Sequence, residues 1–115
     1  MEKFDLMGEW NVNEGTISFW VRKGKLQWND GLIHVLFNLT KNDGSISLVR
    51  DSDNKLKFSH VISGKGRTDV EFDVSKLSSE IDHHIVTTWS TKNKETHLYV
   101  DGKSVAESKI IYASS

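Results

Sequence analysis

An antiparallel β-sandwich is the fold this sequence predicts, on three observations. Apolar and polar residues alternate with period two through most of the 115-residue chain. Turn-forming residues interrupt the alternation about every eight to twelve positions, and no long stretch carries a helical period. Strands at that spacing, joined by Gly, Asn and Asp turns, are the pattern of an all-β sandwich.

The elements follow in order. Ile17, Phe19 and Val21 alternate with Thr16, Ser18, Trp20 and Arg22, which defines one strand. Residues 32–39 are apolar at nearly every position, as in a strand covered on both faces or crossing a sheet edge. Ile46 and Leu48 continue the pattern, then Leu56, Phe58, His60 and Ile62. Val70, Phe72 and Val74 alternate with Glu71 and Asp73; Ile85, Thr87 and Trp89 share one face while Val86 and Thr88 take the other. Leu98 and Val100 close the series, with Val105 beyond the last turn. Asn29-Asp30-Gly31, Asn42-Asp43-Gly44, Asp51-Ser52-Asp53-Asn54, Ser63-Gly64-Lys65-Gly66 and Asp101-Gly102 supply the reversals. Residues 75–81 alone have weak helical spacing, with Ser75 as N-cap. The expected interior on the first half of the chain is Ile17, Phe19, Val21, Ile33, Val35, Phe37, Leu48 and Phe58. Val70, Phe72, Ile85, Trp89, Leu98 and Val100 complete it. No linker or repeat divides the chain, so residues 1–115 read as one domain.

Composition removes several classes of function. A chain of this size buries roughly 65% of its unfolded surface, enough for one core. Fifteen basic against sixteen acidic residues leave no electrostatic footprint for nucleic acid or an anionic membrane. No apolar run approaches the ~20 residues of a membrane span, and the first thirty residues lack a signal pattern, so membrane insertion is not expected. Zero cysteines exclude disulfides and thiolate metal sites. Zero prolines leave charge and twist to blunt the edge strands.

Two stretches carry a family resemblance. His83-His84-Ile85-Val86-Thr87-Thr88-Trp89-Ser90, followed by His97-Leu98-Tyr99-Val100-Asp101-Gly102-Lys103, resembles the signature hairpin of laminin-G-like (concanavalin A-like) jelly-roll domains. Gly15-Thr16-Ile17-Ser18-Phe19-Trp20-Val21 resembles a strand of the same family, and the likeness runs over residues 15–107. It implies two antiparallel sheets, binding of carbohydrate or protein, sometimes calcium at the rim, and a cell-surface or extracellular setting. It also implies that His84 is a packed or hydrogen-bonded histidine. Asp82 stands where the family pattern opens with tryptophan, so that ring's packing must come from elsewhere. Family members also continue past the Asp-Gly-Lys turn into a closing strand. Here either residues 109–112 supply one, or an open sheet edge invites pairing with another copy or domain.

Chemistry-bearing clusters are few. Glu80-Ile81-Asp82 resembles the start of a glucanase acid motif, but His84 occupies the position where a second glutamate would sit; a polar turn is the simpler reading and no enzyme is expected. Asp51, Asp53 and Asn54 offer three hard oxygens in one loop, the donor type calcium takes, although hairpins use the same residues. His83 and His84 point to opposite faces of a strand and do not chelate together; His34 and His60 offer zinc only if their strands are neighbours. Trp28, in Leu26-Gln27-Trp28-Asn29-Asp30, is the first candidate for an aromatic platform against a sugar, then Trp10, then Trp20, each weighed against core burial. Trp89 and Tyr99 read as core. Asn38-Leu39-Thr40 is a formal glycosylation sequon.

The expectation is a non-catalytic module for a carbohydrate or glycan-bearing protein. Trp28, Asn29, Asp30 and Trp10 would bind it, with no required cofactor and calcium optional at Asp51, Asp53 and Asn54. The alternative is a structural domain that self-associates, as a homo-oligomer paired through an open sheet edge, within a larger surface or virion protein.

Overall fold

Eight strands take up the alternating segments: β1 (Glu14–Val21), β2 (His34–Lys41), β3 (Gly44–Arg50), β4 (Lys55–Ile62), β5 (Gly66–Asp73), β6 (His83–Ser90), β7 (Glu95–Val100) and β8 (Lys103–Lys109). The computed structural model describes residues 4–110. All pairings are antiparallel, in two four-stranded sheets ordered β1-β6-β7-β8 and β2-β3-β4-β5. The second sheet is a meander of successive hairpins, whereas β1 pairs with β6, from Glu14 opposite Ser90 to Val21 opposite His83. The architecture is the all-β sandwich that the alternation predicts.

Turn chemistry behaves as the residue types require. Asp101 and Gly102 both take positive φ (53° and 82°), the geometry of the two-residue hairpin joining β7 to β8. Residues 75–81 form turns rather than a helix. Asp73 Oδ1 accepts the Ser75 N–H at 2.8 Å, and Leu77 N donates to Val74 O at 3.0 Å. Of the segment 109–112, Lys109 ends β8, Ile110 is buried and donates to Lys94 O at 2.9 Å, and 111 and 112 lie outside the described residues.

The interior differs from expectation on β2. The register slips between Val35 and Phe37, so Leu36 and Phe37 are both buried while Val35 is half-buried and Ile33, before the strand, is 67% exposed. A β-bulge puts two residues where one belongs and re-aims the side chains before it, which strict alternation cannot anticipate. Phe72 is likewise only half-buried, packed against the core margin. Elsewhere Ile17, Phe19, Leu48, Phe58, Ile85, Trp89 and Leu98 lie inside as expected. A relay of rings crosses the core, Phe19 to Phe37 at 6.1 Å, Phe37 to Phe58 at 6.4 Å, Phe58 to Trp89 at 5.7 Å and Trp89 to Trp10 at 6.4 Å.

Two buried polar groups shape stability. Thr87 is fully buried on β6, and its Oγ1 has no hydrogen-bond partner. A near-isosteric methyl removes an unpaid desolvation, so Thr87→Val is expected to stabilise the fold by about 1 kcal/mol in urea unfolding; a loss of stability would contradict this placement. His60 is fully buried, and its Nε2 donates to Val12 O at 2.7 Å. Burial holds its pKa below the usual 6.5, against the pull of the Val12 carbonyl. Because the folded value is the lower one, the neutral ring's contribution is complete above pH 6.5 and is lost as pH falls from there. The melting temperature should therefore begin to drop between pH 6.5 and 5, before carboxylates protonate. A His60→Gln variant should lose that early slope, and a wild-type profile flat to pH 5 would refute the assignment.

Candidate functional site

The outward face of the β1-β6-β7-β8 sheet carries the polar set of each alternating strand. Thr16, Ser18 and Trp20 point outward from β1, His84 and Thr88 from β6, and His97 and Tyr99 from β7. The segment preceding β1 runs beside it: Met7 and Ser18 exchange backbone bonds at 2.8 Å each way, and Thr16 N donates to Glu9 O at 3.2 Å. Asn11 Oδ1 caps the reversal by accepting from Asn13 N and Glu14 N. This edge segment raises a wall along β1 and makes two clefts.

The first cleft, about 570 Å³, lies where β1 starts and β6 ends. Trp10 and Trp89 wall it, and Glu9, Glu14, Thr16, Thr88, Asn93, Glu95 and His97 supply its polar groups. Gly15 allows the wall to close: a Cβ there would stand 2.5 Å from the Trp89 ring and 2.8 Å from Trp10 Cβ. Trp89 Nε1 donates to Asn11 O at 2.8 Å, and the Lys41 ammonium sits 4.5 Å from the Trp10 ring centroid while donating to Trp10 O at 3.0 Å. The tryptophans are thus fixed from both sheets. His97 lies between two carboxylates, 3.5 Å from Glu95 and 3.4 Å from Glu107. Such a hollow puts an aromatic ring on one wall and several hydrogen-bonding groups around it.

The second cleft, about 350 Å³, lies farther along β1 and is lined by Phe4, Asp5, Met7, Ser18, Phe19, Trp20, Arg22, Lys25 and His84. Trp20 is 46% exposed, with the His84 ring 4.7 Å away and the Arg22 guanidinium 5.2 Å from its centroid.

The sequence-based candidates distribute unevenly. Trp10 lines the first cleft. Trp28 does not reach a surface: it is 1% exposed, edge-on to His83 at 5.5 Å. That corrects its assignment as an aromatic platform, because its polar neighbours in the loop face out while the ring fills the core. It supplies a ring beside the motif histidines, where the family pattern has a tryptophan at the position of Asp82. The buried histidine of the pair is His83, with Nε2 donating to Ser78 O and Nδ1 2.7 Å from Asp101 Oδ2; His84 faces out against Trp20. Tyr99 is half-buried on the outer face, stacked on His97 at 5.8 Å, rather than in the core.

Asn29 is exposed, and Asp30 is tied to its own end of the sandwich, opposite the Trp10 cleft. Its carboxylate receives the fully buried Arg50 guanidinium, His34 Nε2 at 2.9 Å and Leu32 N at 2.9 Å. The Leu32 N–H, then His34 and Arg50, outweigh burial and hold its pKa at about 2. Asp51 Oδ1 accepts from Asp53 N and Lys55 N, and Asn54 Oδ1 accepts from Gly31 N. These oxygens serve the turn, and among the described residues no three acidic or imidazole groups are placed to hold a metal. His34 and His60 lie on β2 and β4, separated by β3, so the zinc pairing does not form. Asp82, the tested acid, is claimed by Arg22 Nη1 at 3.1 Å and Lys23 N at 2.8 Å.

Sequence reasoning missed Glu9, Glu14, Asn93, Glu95 and the outward set Thr16, Thr88 and His97. The alternation already turned Thr16 and Thr88 away from the core, but nothing local revealed that β1 and β6 are neighbours.

Comparison with curated proteins and with solved structures finds no match. The sequence matches one family over residues 4–115, all of the strands and both cleft walls included, and the chain accordingly belongs to the concanavalin A-like lectin/glucanases superfamily.

Proposed function

We propose that this domain is a non-catalytic module that binds carbohydrate, free or on a glycan-bearing protein, at the outer face of the β1-β6-β7-β8 sheet. The observation that carries the reading is the first cleft, where Trp10 stands against Glu9, Glu14, Asn93 and Glu95. The ring offers contact area to the apolar face of a pyranose, and the carboxylates and amide accept and donate to its hydroxyls. This binding role belongs outside the cell or on its surface. No step of bond cleavage is assigned: the carboxylate of the tested acid motif, Asp82, is occupied in holding a turn.

A printed glycan array, read with calcium and then with chelator, tests this. A selective signal that falls about tenfold or more in Glu14→Gln supports the site, and loss of signal with chelator would add calcium to it. A folded sample silent on the array sinks the reading, and turnover of any β-glucan would replace it with an enzyme.

Self-association is a second reading, favoured by the free side of β2. Among the described residues that strand pairs only with β3, and Leu32 and Ile33 just before it are 61% and 67% exposed. Sedimentation equilibrium decides it: a dimer that Ile33→Lys dissociates supports pairing there, and a monomer at all concentrations removes it.

A further inference from the structure

The second cleft differs from the first in charge, and the turn that brings its cations is held by Asp82, a residue that departs from the family pattern. Asp82 reaches across to the turn after β1, accepting Lys23 N at 2.8 Å and Arg22 Nη1 at 3.1 Å. Gly24 N donates to Ser79 O at 2.7 Å, Lys25 N closes the turn on Arg22 O at 3.0 Å, and Gly24 takes φ +76°. The turn Arg22-Lys23-Gly24-Lys25 is thereby pinned from the 79–82 segment, with all three cations exposed and Arg22 and Lys25 lining the cleft with Trp20. Against them stand Asp5 on the cleft lining and Asp82, whose ion pair with Arg22 at 3.1 Å leaves Lys23 and Lys25 as the cations of this turn with no carboxylate partner among the described residues. At the other end of β1 the first cleft carries Glu9, Glu14 and Glu95.

The two clefts adjoin. Thr16 lines the first and Ser18 the second, and these are successive outward positions of β1. From Glu14 to Trp20 the strand advances ~20 Å at about 3.3 Å per residue. The outward face of β1 thus leads from an acidic cleft where the strand starts to a net-positive one where it ends.

Resting on the glycan reading above, we infer that the Trp20–Arg22–Lys25 cleft is a second subsite for an anionic substituent, a carboxylate or sulfate, on an oligosaccharide several rings long. Such a ligand lies along β1 with neutral hydroxylated rings in the Trp10 cleft and its acidic group at the pinned turn. The cations give charge-assisted hydrogen bonds to the anion, and the edge of Trp20 supports the ring that bears it. A neutral or short ligand reaches only the first cleft.

The test uses matched pairs: oligogalacturonate and its carboxyl-reduced galactan, and sulfated and desulfated glycosaminoglycan, each as hexasaccharide and disaccharide. Titrated against the whole chain at low and moderate salt, the acidic hexasaccharides are expected to bind about tenfold or more tightly than their neutral partners, with the margin shrinking as salt rises. The margin should shrink for the disaccharides as well. The carboxylate and sulfate arms tell which anion is read. Lys25→Gln, whose side chain makes no hydrogen bond or ion pair among the described residues, and Arg22→Gln should collapse the acidic-to-neutral ratio toward one, with thermal melting confirming that both fold. Equal binding of acidic and neutral hexasaccharides, or a ratio unmoved in both variants, overturns the second subsite and leaves the first intact. Silence of every probe together with a silent array overturns both.

Discussion

Replacing Trp89 with alanine is expected to remove most of the stability of this domain. The ring is 2% exposed, packs between Phe58 and Trp10, and ties Asn11 of the edge segment through its Nε1–H. Truncating a buried ring of this size costs about 3–5 kcal/mol, against a total of about 5–15 kcal/mol for a small domain. The loss has two parts: a cavity in the core, and a carbonyl of the cleft wall left without its donor. Urea unfolding followed by circular dichroism would read it as a large fall in midpoint or an unfolded sample at 25 °C. Trp20→Ala, on a ring 46% exposed, is the contrast and should shift the midpoint far less. Equal effects of the two would contradict the placement of Trp89 in the core.

The second large effect is at Arg50. Its side chain is fully buried, and its guanidinium donates to Gln27 O, Leu32 O and Asp30 Oδ1, pinning the 22–33 connection onto the end of β3. Arg50→Met leaves two carbonyls without their donor, at about 1–3 kcal/mol for each that stays buried, and takes the cation away from Asp30. The damage should be local first: the amides of Gly31 and Leu32, held by Asn54 Oδ1 and Asp30 Oδ1, lose hydrogen-exchange protection before those of the strands. Acid gives a second view of the same clamp. Asp30 titrates at about 2 in the fold against 3.8 ordinarily, so its contribution is complete above about pH 4 and disappears as pH falls toward 2. Unchanged stability in Arg50→Met, with unchanged exchange at Gly31 and Leu32, would mean that the loop is held by something else.

What the sequence disclosed, and what it withheld, divides along the range of the interactions. Alternation located β1 and β3 to β7, an apolar run marked β2, and Asp101-Gly102 gave its hairpin, because all depend on near neighbours; β8 showed in the sequence only as Val105 beyond that turn. The bulge in β2 broke the alternation rule at Ile33, Val35 and Leu36, since one extra residue flips every side chain before it. Trp28 was misread for a related reason: a ring between Gln27 and Asn29 looks wet in sequence, and only the distant His83 shows that it is covered. The cleft was the least legible part. Glu9, Glu14, Thr88 and Glu95 meet only because β1 lies against β6 and the edge segment lies against β1, pairings that leave no local trace. The role of Asp82 as a clamp on the basic turn was hidden in the same way, although its departure from the family pattern was visible.

The pairing of β1 with β6 also sets an order of events on the ribosome. Sheet β2-β3-β4-β5 needs only successive hairpins and can assemble as each strand emerges. β1 leaves the exit tunnel first, yet its neighbour arrives only after the whole opposing sheet has been made, and closing so long a loop is slow. Through that interval Ile17, Phe19 and Val21 have no strand of their own sheet to join. This part of the chain is therefore the stretch most exposed to wrong partners during synthesis. A nascent chain shielded there by a chaperone, or released only after β6 is complete, would be spared a hazard that the finished sandwich no longer displays.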